Sequence, residues 1–133
     1  MITEPVQPRI LLIEDSPAIT LLVRRALEGC AVDSADTIAM AASKLRRGAY
    51  DAILLDLSLP DAKDGSSLGH MEDLRALSTA PIVILSGTMD MRQVRKAIEA
   101  GAAAYLTKDI FHGAIVQMLI TLTVVMLKDK RKR

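Results

Sequence analysis

The stretch AILLDLSLP, residues 52–60, places four consecutive apolar residues before Asp56 and then turns at Pro60. A short apolar run without alternation is typical of a strand that is buried on both faces, as strands of a parallel sheet are. The stretch therefore predicts a central strand of a parallel sheet, and that strand ends on a carboxylate.

Short strand-like runs alternate with helical patterns on both sides of this stretch. Cap and stop residues, such as Ser16 before the first helix and Gly48 after the second, set the predicted helix ends. The first helix carries a predicted buried stripe of Ile19, Leu22, Val23, Ala26 and Leu27. The other predicted strands cover residues 9–13, 30–35, 81–85 and 103–106, and the predicted helices cover residues 17–28, 38–47, 66–77, 91–100 and a long apolar segment near the C-terminus.

Strands that alternate this regularly with helices predict an α/β fold, because parallel neighbours need helical crossovers with right-handed connections. We expect a doubly wound, five-stranded parallel sheet of order 2-1-3-4-5 between two layers of helices, which is the flavodoxin-like three-layer sandwich. In such a fold the ligand binds beyond the carboxyl ends of the strands. The residues that follow each strand are therefore the first candidates for function.

Length and charge limit the classes of function. The 133 residues suffice for one domain, and a net charge of +1 gives no overall attraction to nucleic acid. We expect an N-terminal extension over residues 1–8, one domain over 9–127 and a basic tail over 128–133, with no appended output domain. Cys30 has no disulfide partner and the N-terminus lacks a signal-peptide pattern, which together favour a cytoplasmic location.

Polar residues follow four of the predicted strands. Glu14 and Asp15 follow the first, Asp56 ends the third, Ser86 follows the fourth and Lys108 lies just beyond the fifth. Each residue alone has an ordinary explanation, since a carboxylate after a strand is most often a helix cap and a single lysine is usually solvated. Together they place three acids, one hydroxyl and one ammonium at the edge of the sheet where a ligand is expected.

Three carboxylates so close together repel one another unless a cation lies between them. A few oxygen ligands with positions left open for water and a phosphoryl group suit Mg²⁺ better than Ca²⁺, and no Cys or His follows these strands to suggest zinc. A carboxylate beside Mg²⁺ can also attack phosphorus and form an aspartyl phosphate. The sequence therefore predicts phosphoryl chemistry at this edge.

The chain resembles the receiver domain of bacterial two-component response regulators over roughly residues 8–127. The motifs that carry the resemblance are LLIEDSP, ILLDLSLPDAKDG, IVILSG and GAAAYLTKD, in this order and spacing. The resemblance implies that Asp56 accepts a phosphoryl group from a phosphohistidine on a sensor histidine kinase or phosphotransfer protein. It also implies that Asp15, Asp56 and the backbone carbonyl of Ser58 hold Mg²⁺, with Glu14 acting through water.

The same resemblance implies a switch. Lys108 would pair with the acyl phosphate, the Ser86 hydroxyl would turn toward the phosphoryl oxygen, and the ring of Tyr105 would move inward in concert. The surface formed by the fourth helix, fifth strand and fifth helix would change as a result. The implied function is that of a regulatory phosphoacceptor, not an enzyme beyond its own phosphorylation and dephosphorylation.

Two positions depart from the family pattern. Three residues separate Pro60 from the Asp64-Gly65 pair, which is one more than the common spacing, so the geometry of this loop is expected to differ. Asp109 follows Lys108 where the family commonly has a proline preceded by a cis bond. A cis bond before a non-proline residue costs about 3 kcal/mol, so we expect a trans bond here.

The C-terminal apolar segment carries two helical stripes. Ile115, Leu119, Leu122 and Met126 are expected to pack on the sheet, which leaves a second stripe of Val116, Ile120, Val124 and Leu127. We expect a second copy of the chain to cover that stripe in a two-fold homodimer, or a longer coiled helix in a parent protein. A membrane anchor is disfavoured because polar residues interrupt the segment. His70 and His112 are expected to be surface residues.

Three other functions were weighed against the receiver. An aspartate-nucleophile phosphatase would need a second acid where Ser58 stands. A flavin carrier would place phosphate against Glu14 and Asp15, which would repel it. A receiver-like module that binds partners without being phosphorylated stays open, because the longer loop and Asp109 depart from the family pattern. Neither the receiver nor this module is expected to bind DNA or a membrane directly.

Overall fold

The computed structural model of the chain describes residues 7–62 and 65–108. Within these residues, five parallel strands form one sheet in the order β2-β1-β3-β4-β5. The strands are β1 (Arg9–Ile13), β2 (Ala31–Ala35), β3 (Ala52–Asp56), β4 (Ile82–Ser86) and β5 (Ala104–Thr107). The α-helices that connect them are α1 (Pro17–Ala26), α2 (Ile38–Arg47), α3 (Met71–Leu77) and α4 (Met91–Glu99), and a 3₁₀ turn over Ser67–His70 leads into α3. The predicted fold class and strand order are confirmed.

Alternate strand residues enter two separate hydrophobic cores, one on each face of the sheet. Leu55 packs with side chains of α2, α3 and α4 in the first core. Its neighbour Leu54 packs with α1 residues in the second. Every residue of β3 and β4 is buried, because successive side chains point to opposite faces and both faces are covered. This explains why the opening stretch contains no alternation of polar and apolar residues.

The ends of α1 differ in part from the sequence prediction. Ser16 caps the helix as expected, accepting a hydrogen bond from the Ile19 amide at 3.3 Å, and Pro17 is its first residue. The helix ends at Ala26 and not at Glu28, because Leu27 leaves the helical conformation and is buried in the second core. The predicted membership of Leu22 in the buried stripe is wrong, since that side chain is 46% exposed.

A narrower stripe accounts for the exposure of Leu22. Val23 and Leu27 are buried and Ile19 packs against them, so residues spaced four apart face the sheet. Leu22 precedes Val23 by one residue, which is a rotation of about 100° around the helix axis, so its side chain points away from this stripe. The other predicted boundaries shift by one residue at most, except at the third helix: β4 and β5 each begin and end one residue later than predicted. The helix predicted over residues 66–77 begins as the 3₁₀ turn at Ser67 and becomes α-helical only at Met71.

Several predictions fall on residues 109–133 or on residues 63–64, which lie outside the described residues. They are the apolar segment with its dimer stripe, the basic tail, His112, the peptide bond before Asp109 and the position of Asp64. Among the described helices, none combines the length and apolarity that crossing a membrane requires.

Candidate functional site

The register of the sheet brings the acidic residues together. Ile13 of β1 is paired with Leu55 of β3, so Glu14 and Asp56, the next residue of each chain segment, lie side by side. Asp15 follows Glu14 in the turn that leads into α1. One ligand oxygen from each of these three acids can be chosen so that all lie within 4.8 Å of one another. The predicted convergence of the acids is therefore present in the fold.

Lys108 reaches the acids from the far side of β4. Its Nζ lies 2.9 Å from Oδ1 of Asp56 and 3.0 Å from Oε2 of Glu14. The Glu14 and Asp56 side chains are 0% and 3% exposed, whereas that of Lys108 is 21% exposed. Burial removes the screening by water that weakens ion pairs at a protein surface, so these contacts are stronger than ordinary surface salt bridges.

The charges at the site do not balance. Two buried carboxylates share one ammonium, and the exposed carboxylate of Asp15 adds a further negative charge. Oε2 of Glu14 is buried. Although it lies 3.0 Å from Nζ of Lys108, it accepts no hydrogen bond from the described residues. The surplus negative charge and the unsatisfied oxygen are what a divalent cation with oxygen ligands would neutralise, so these side chains fit a hard metal ion.

Burial, hydrogen bonds and neighbouring charges together shift the pKa values of Glu14 and Lys108. Burial raises the pKa of Glu14 above its usual value, and the nearby charge of Asp56 raises it further against the hydrogen bonds from Lys108 and Ser16. Burial alone would lower the pKa of Lys108. The hydrogen bonds and charges of Asp56 and Glu14 outweigh that effect, so the pKa of Lys108 is raised and its ammonium is retained.

Ser86 is the last residue of β4, the strand that lies between Asp56 at the end of β3 and Lys108 just after β5. Ser86 is buried, and its Oγ accepts a hydrogen bond from the Thr88 amide at 3.3 Å. Tyr105 on β5 is partly buried against the first core, and its hydroxyl donates to the Thr88 carbonyl at 2.9 Å and lies 3.1 Å from Oε1 of Gln93. The loop after β4 thus connects the two residues predicted to form a switch.

The loop after β3 contains two residues that the sequence analysis missed. The Ser67 hydroxyl is fully buried and donates to the backbone carbonyl of Asp56 at 2.6 Å. Asp61 accepts hydrogen bonds from the first two amides of α2. Ser58, the predicted carbonyl ligand, is exposed, and its amide donates to Oδ1 of Asp56 at 3.3 Å. No local pattern identifies Ser67 or Asp61, because their partners belong to other elements.

The cavities agree only in part with this site. A cavity of about 310 Å³ is lined by Glu14, Asp15 and Asp36 among others, at the acidic edge. A larger one of about 520 Å³ lies at the opposite end of the sheet, beside Arg46 and Arg75. Of these two cavities, only the smaller is lined by members of the acidic group; in the larger, the Tyr50 hydroxyl donates to Asp33 at 2.6 Å.

Comparisons with known proteins were made on this chain. The family model described as response regulator receiver domain matches residues 10–120. The transcriptional regulatory protein KdpE of Staphylococcus aureus is 38% identical over 104 residues, which are 77% of this chain and 44% of that protein. The chain thus spans less than half the length of this relative.

Solved structures share the fold. A two-component response regulator from Clostridium difficile superposes with a TM-score of 0.78 at 24% identity, covering 92% of this chain and 97% of that one. A response regulator protein from Burkholderia pseudomallei, with a phosphorylated aspartic acid, calcium ion and citrate, superposes with a TM-score of 0.72 at 24% identity, covering 93% of this chain and 73% of that one.

Proposed function

Because the chain belongs to the response regulator receiver domain family, whose members are phosphorylated on an aspartate by sensor kinases, we propose that Asp56 is its phosphoacceptor. The observation that carries this proposal is the position of Asp56. It is buried at the end of β3, 2.9 Å from the Lys108 ammonium and beside Glu14 and Asp15. The phosphoryl donor is a phosphohistidine on a sensor histidine kinase or phosphotransfer protein.

The chemistry at Asp56 is a single group transfer. A carboxylate oxygen of Asp56 forms a bond to phosphorus while the P–N bond of the phosphohistidine breaks, and the electron pair of that bond passes to the imidazole nitrogen. The ammonium of Lys108 stays paired with the new acyl phosphate. The buried hydroxyl of Ser86, one strand away, turns toward a phosphoryl oxygen and donates to it.

Magnesium is the metal that this donor set suits. Asp15, Asp56 and the Ser58 backbone carbonyl would hold it, with Glu14 acting through water. When bound, it would neutralise the surplus negative charge of the carboxylates and that of the phosphoryl oxygens. The calcium ion and phosphorylated aspartic acid of the Burkholderia pseudomallei protein support a divalent cation beside the acceptor, because the two proteins share the fold.

The output is a change of protein-binding surface. Once Ser86 turns toward the phosphoryl group, its Oγ no longer accepts from the Thr88 amide, so the loop that holds the Tyr105 hydroxyl is free to rearrange. Tyr105 then moves inward and reshapes the surface that includes α4. The domain itself acts as a regulator and contacts protein partners in the cytoplasm, without binding DNA directly.

Two further proposals, on the homodimer and on the domain limits, rest on sequence alone. The stripe of Val116, Ile120, Val124 and Leu127 is proposed to form a homodimer, and Ile120→Glu should then give a smaller species in light scattering. An unchanged mass would remove the dimer without affecting the phosphoacceptor. The domain limits of residues 9–127 likewise remain a prediction beside the matched range of 10–120.

The alternative function is a module that binds partners without phosphorylation. The test is intact-mass spectrometry after incubation with a small phosphodonor and Mg²⁺, and with candidate kinases. We expect one acid-labile phosphoryl group on the wild type and on Asp73→Asn, an exposed acid of α3, and none on Asp56→Asn. A wild type that stays unmodified with every donor would favour the binding module.

A further inference from the structure

The loop after the phosphoacceptor strand is joined to the start of α2 by one carboxylate. Oδ1 of Asp61 accepts from the Ile38 amide at 2.9 Å, and Oδ2 accepts from the Ala39 amide at 3.1 Å. Asp61 is five residues beyond Asp56 and more than twenty residues from these donors. Asp61 is exposed; the slight burial of its carboxylate raises the pKa, but the hydrogen bonds from the two amides and from its own backbone outweigh that effect, so the pKa lies below its usual value.

The helix has a cap of its own. Thr37 accepts from the Met40 amide at 3.1 Å, so the side chain before α2 already satisfies one of its free N–H groups. The Ile38 and Ala39 amides belong to the remaining first-turn donors, which water can satisfy at an exposed helix start. The helix therefore does not depend on Asp61 for its start. What depends on Asp61 is the position of the loop.

The same loop is fixed at its other end. Ser67 holds the backbone carbonyls of Asp56 and Leu57, through its hydroxyl and its amide at 2.6 and 2.8 Å. Leu59 is buried in the first core. Asp61 fixes the side nearer α2, so the exposed Ser58 lies in a segment held on both sides. The hydrogen bonds of Asp61 to α2 also separate Ser58 from the part of the loop that follows Asp61.

We infer that Asp61 is a positioning residue for the phosphorylation site: by holding the loop against α2, it sets the position of the Ser58 carbonyl and thereby the affinity for Mg²⁺. This inference rests on the proposed function, since it takes the Ser58 carbonyl as a metal ligand. Asp61 itself contacts neither the metal nor the phosphoryl group. Its effect is transmitted through the backbone of the two intervening residues, Leu59 and Pro60.

The test is calorimetric titration with Mg²⁺ of the wild type, Asp61→Ala, Asp61→Asn and Thr37→Ala. Asp61→Ala should raise the Kd about tenfold, the lower end for groups that orient metal ligands. Thr37→Ala weakens the cap of the same helix and leaves the loop anchored, so its Kd should stay at the wild-type value. Asp61→Asn keeps one carbonyl acceptor without the charge, and its Kd should lie closer to wild type than to Asp61→Ala.

Three outcomes would overturn the inference, and they are distinguishable. Equal Kd values for Asp61→Ala and Thr37→Ala are the first: if both are raised, Asp61 acts only through the stability of α2, and if both stay at the wild-type value, Asp61 has no effect on Mg²⁺ binding. A Kd for Asp61→Asn as high as that for Asp61→Ala would assign the effect to charge and not to position. A wild type that binds no Mg²⁺ and accepts no phosphoryl group would remove the proposed function together with this inference, whereas the first two outcomes leave that function intact.

Discussion

Lys108 and Asp56 form an ion pair across an intervening strand: the Nζ to Oδ1 distance is 2.9 Å, although β4 lies between the strands that carry them. The long lysine side chain spans this gap, and it meets Glu14 at the same point. The pair therefore links the ends of three strands at the edge of the sheet where phosphorylation is proposed.

Removal of the Lys108 ammonium should destabilise the fold. Lys108→Ala would leave two buried carboxylates without their cation, which costs about 3 kcal/mol, the low end for breaking a buried pair. Urea unfolding at neutral pH without Mg²⁺ measures this loss in the free energy of unfolding. Lys44→Ala is the matched control, because the side chains of its 2.7 Å ion pair with Asp33 are 30% and 42% exposed, more than those of the Lys108 pairs, so the loss should be smaller. Equal losses for the two variants would contradict the buried pair.

Glu14 should make the metal-free protein less stable as the pH rises. Because its pKa is raised in the folded state, the folded chain binds more protons than the unfolded chain between 4.5 and the folded pKa. The contribution of Glu14 to stability is therefore greatest below pH 4.5 and falls as the pH rises through the folded pKa. Glu14→Gln should flatten this slope in urea unfolding, whereas Glu72→Gln, an exposed acid of α3, should leave it unchanged.

Magnesium should raise the melting temperature, since binding to the folded state alone shifts the folding equilibrium. At about a hundred times the Kd the gain is roughly 2.7 kcal/mol. Differential scanning calorimetry should show a clear upward shift for the wild type and a smaller one for Asp15→Asn, which loses a proposed ligand. Asp36→Asn removes a neighbouring acid outside the three-carboxylate group and should behave as wild type. A Tm independent of Mg²⁺ would exclude the proposed metal site.

The buried hydroxyl of Ser67 should matter more than that of its neighbour Ser66. Ser67→Ala leaves the Asp56 carbonyl without its 2.6 Å partner inside the protein, at a cost of about 1–3 kcal/mol. Ser66 accepts a longer bond, 3.3 Å, from the Leu68 amide at a partly buried position, so Ser66→Ala should cost less. Guanidinium unfolding of both variants gives the comparison, and a greater loss for Ser66→Ala would be contrary to this assignment.

The strand order and the site were predictable for the same reason. Apolar runs that end on Glu14, Asp56 and Ser86 mark both the buried strands and the polar edge, and the register of β1 with β3 brought the two acids together as expected. Lys108 was predicted as a member of that edge from its position after the fifth strand, and as the partner of the acyl phosphate from the family resemblance. Its simultaneous contacts with two acids depend on side-chain reach, which no periodicity encodes.

Contacts between distant segments were not predictable. Asp61 and Ser67 look like ordinary loop residues in the sequence, and their roles depend on α2 and β3 lying close to the loop in the fold. Leu22 had the right polarity for the core, but helix rotation placed it aside. The positions that the sequence specifies poorly are thus those where a tertiary contact competes with a local pattern.

The bond from the Tyr105 hydroxyl to the Thr88 carbonyl also makes the domain its own optical probe. The chain has no tryptophan and only two tyrosines. Tyr50 precedes β3 at the end of the sheet remote from Asp56, where burial and the short hydrogen bond to Asp33 raise the pKa of its hydroxyl to about 12. A change in tyrosine fluorescence on phosphorylation would therefore originate at Tyr105, so the proposed switch could be followed in real time without a label.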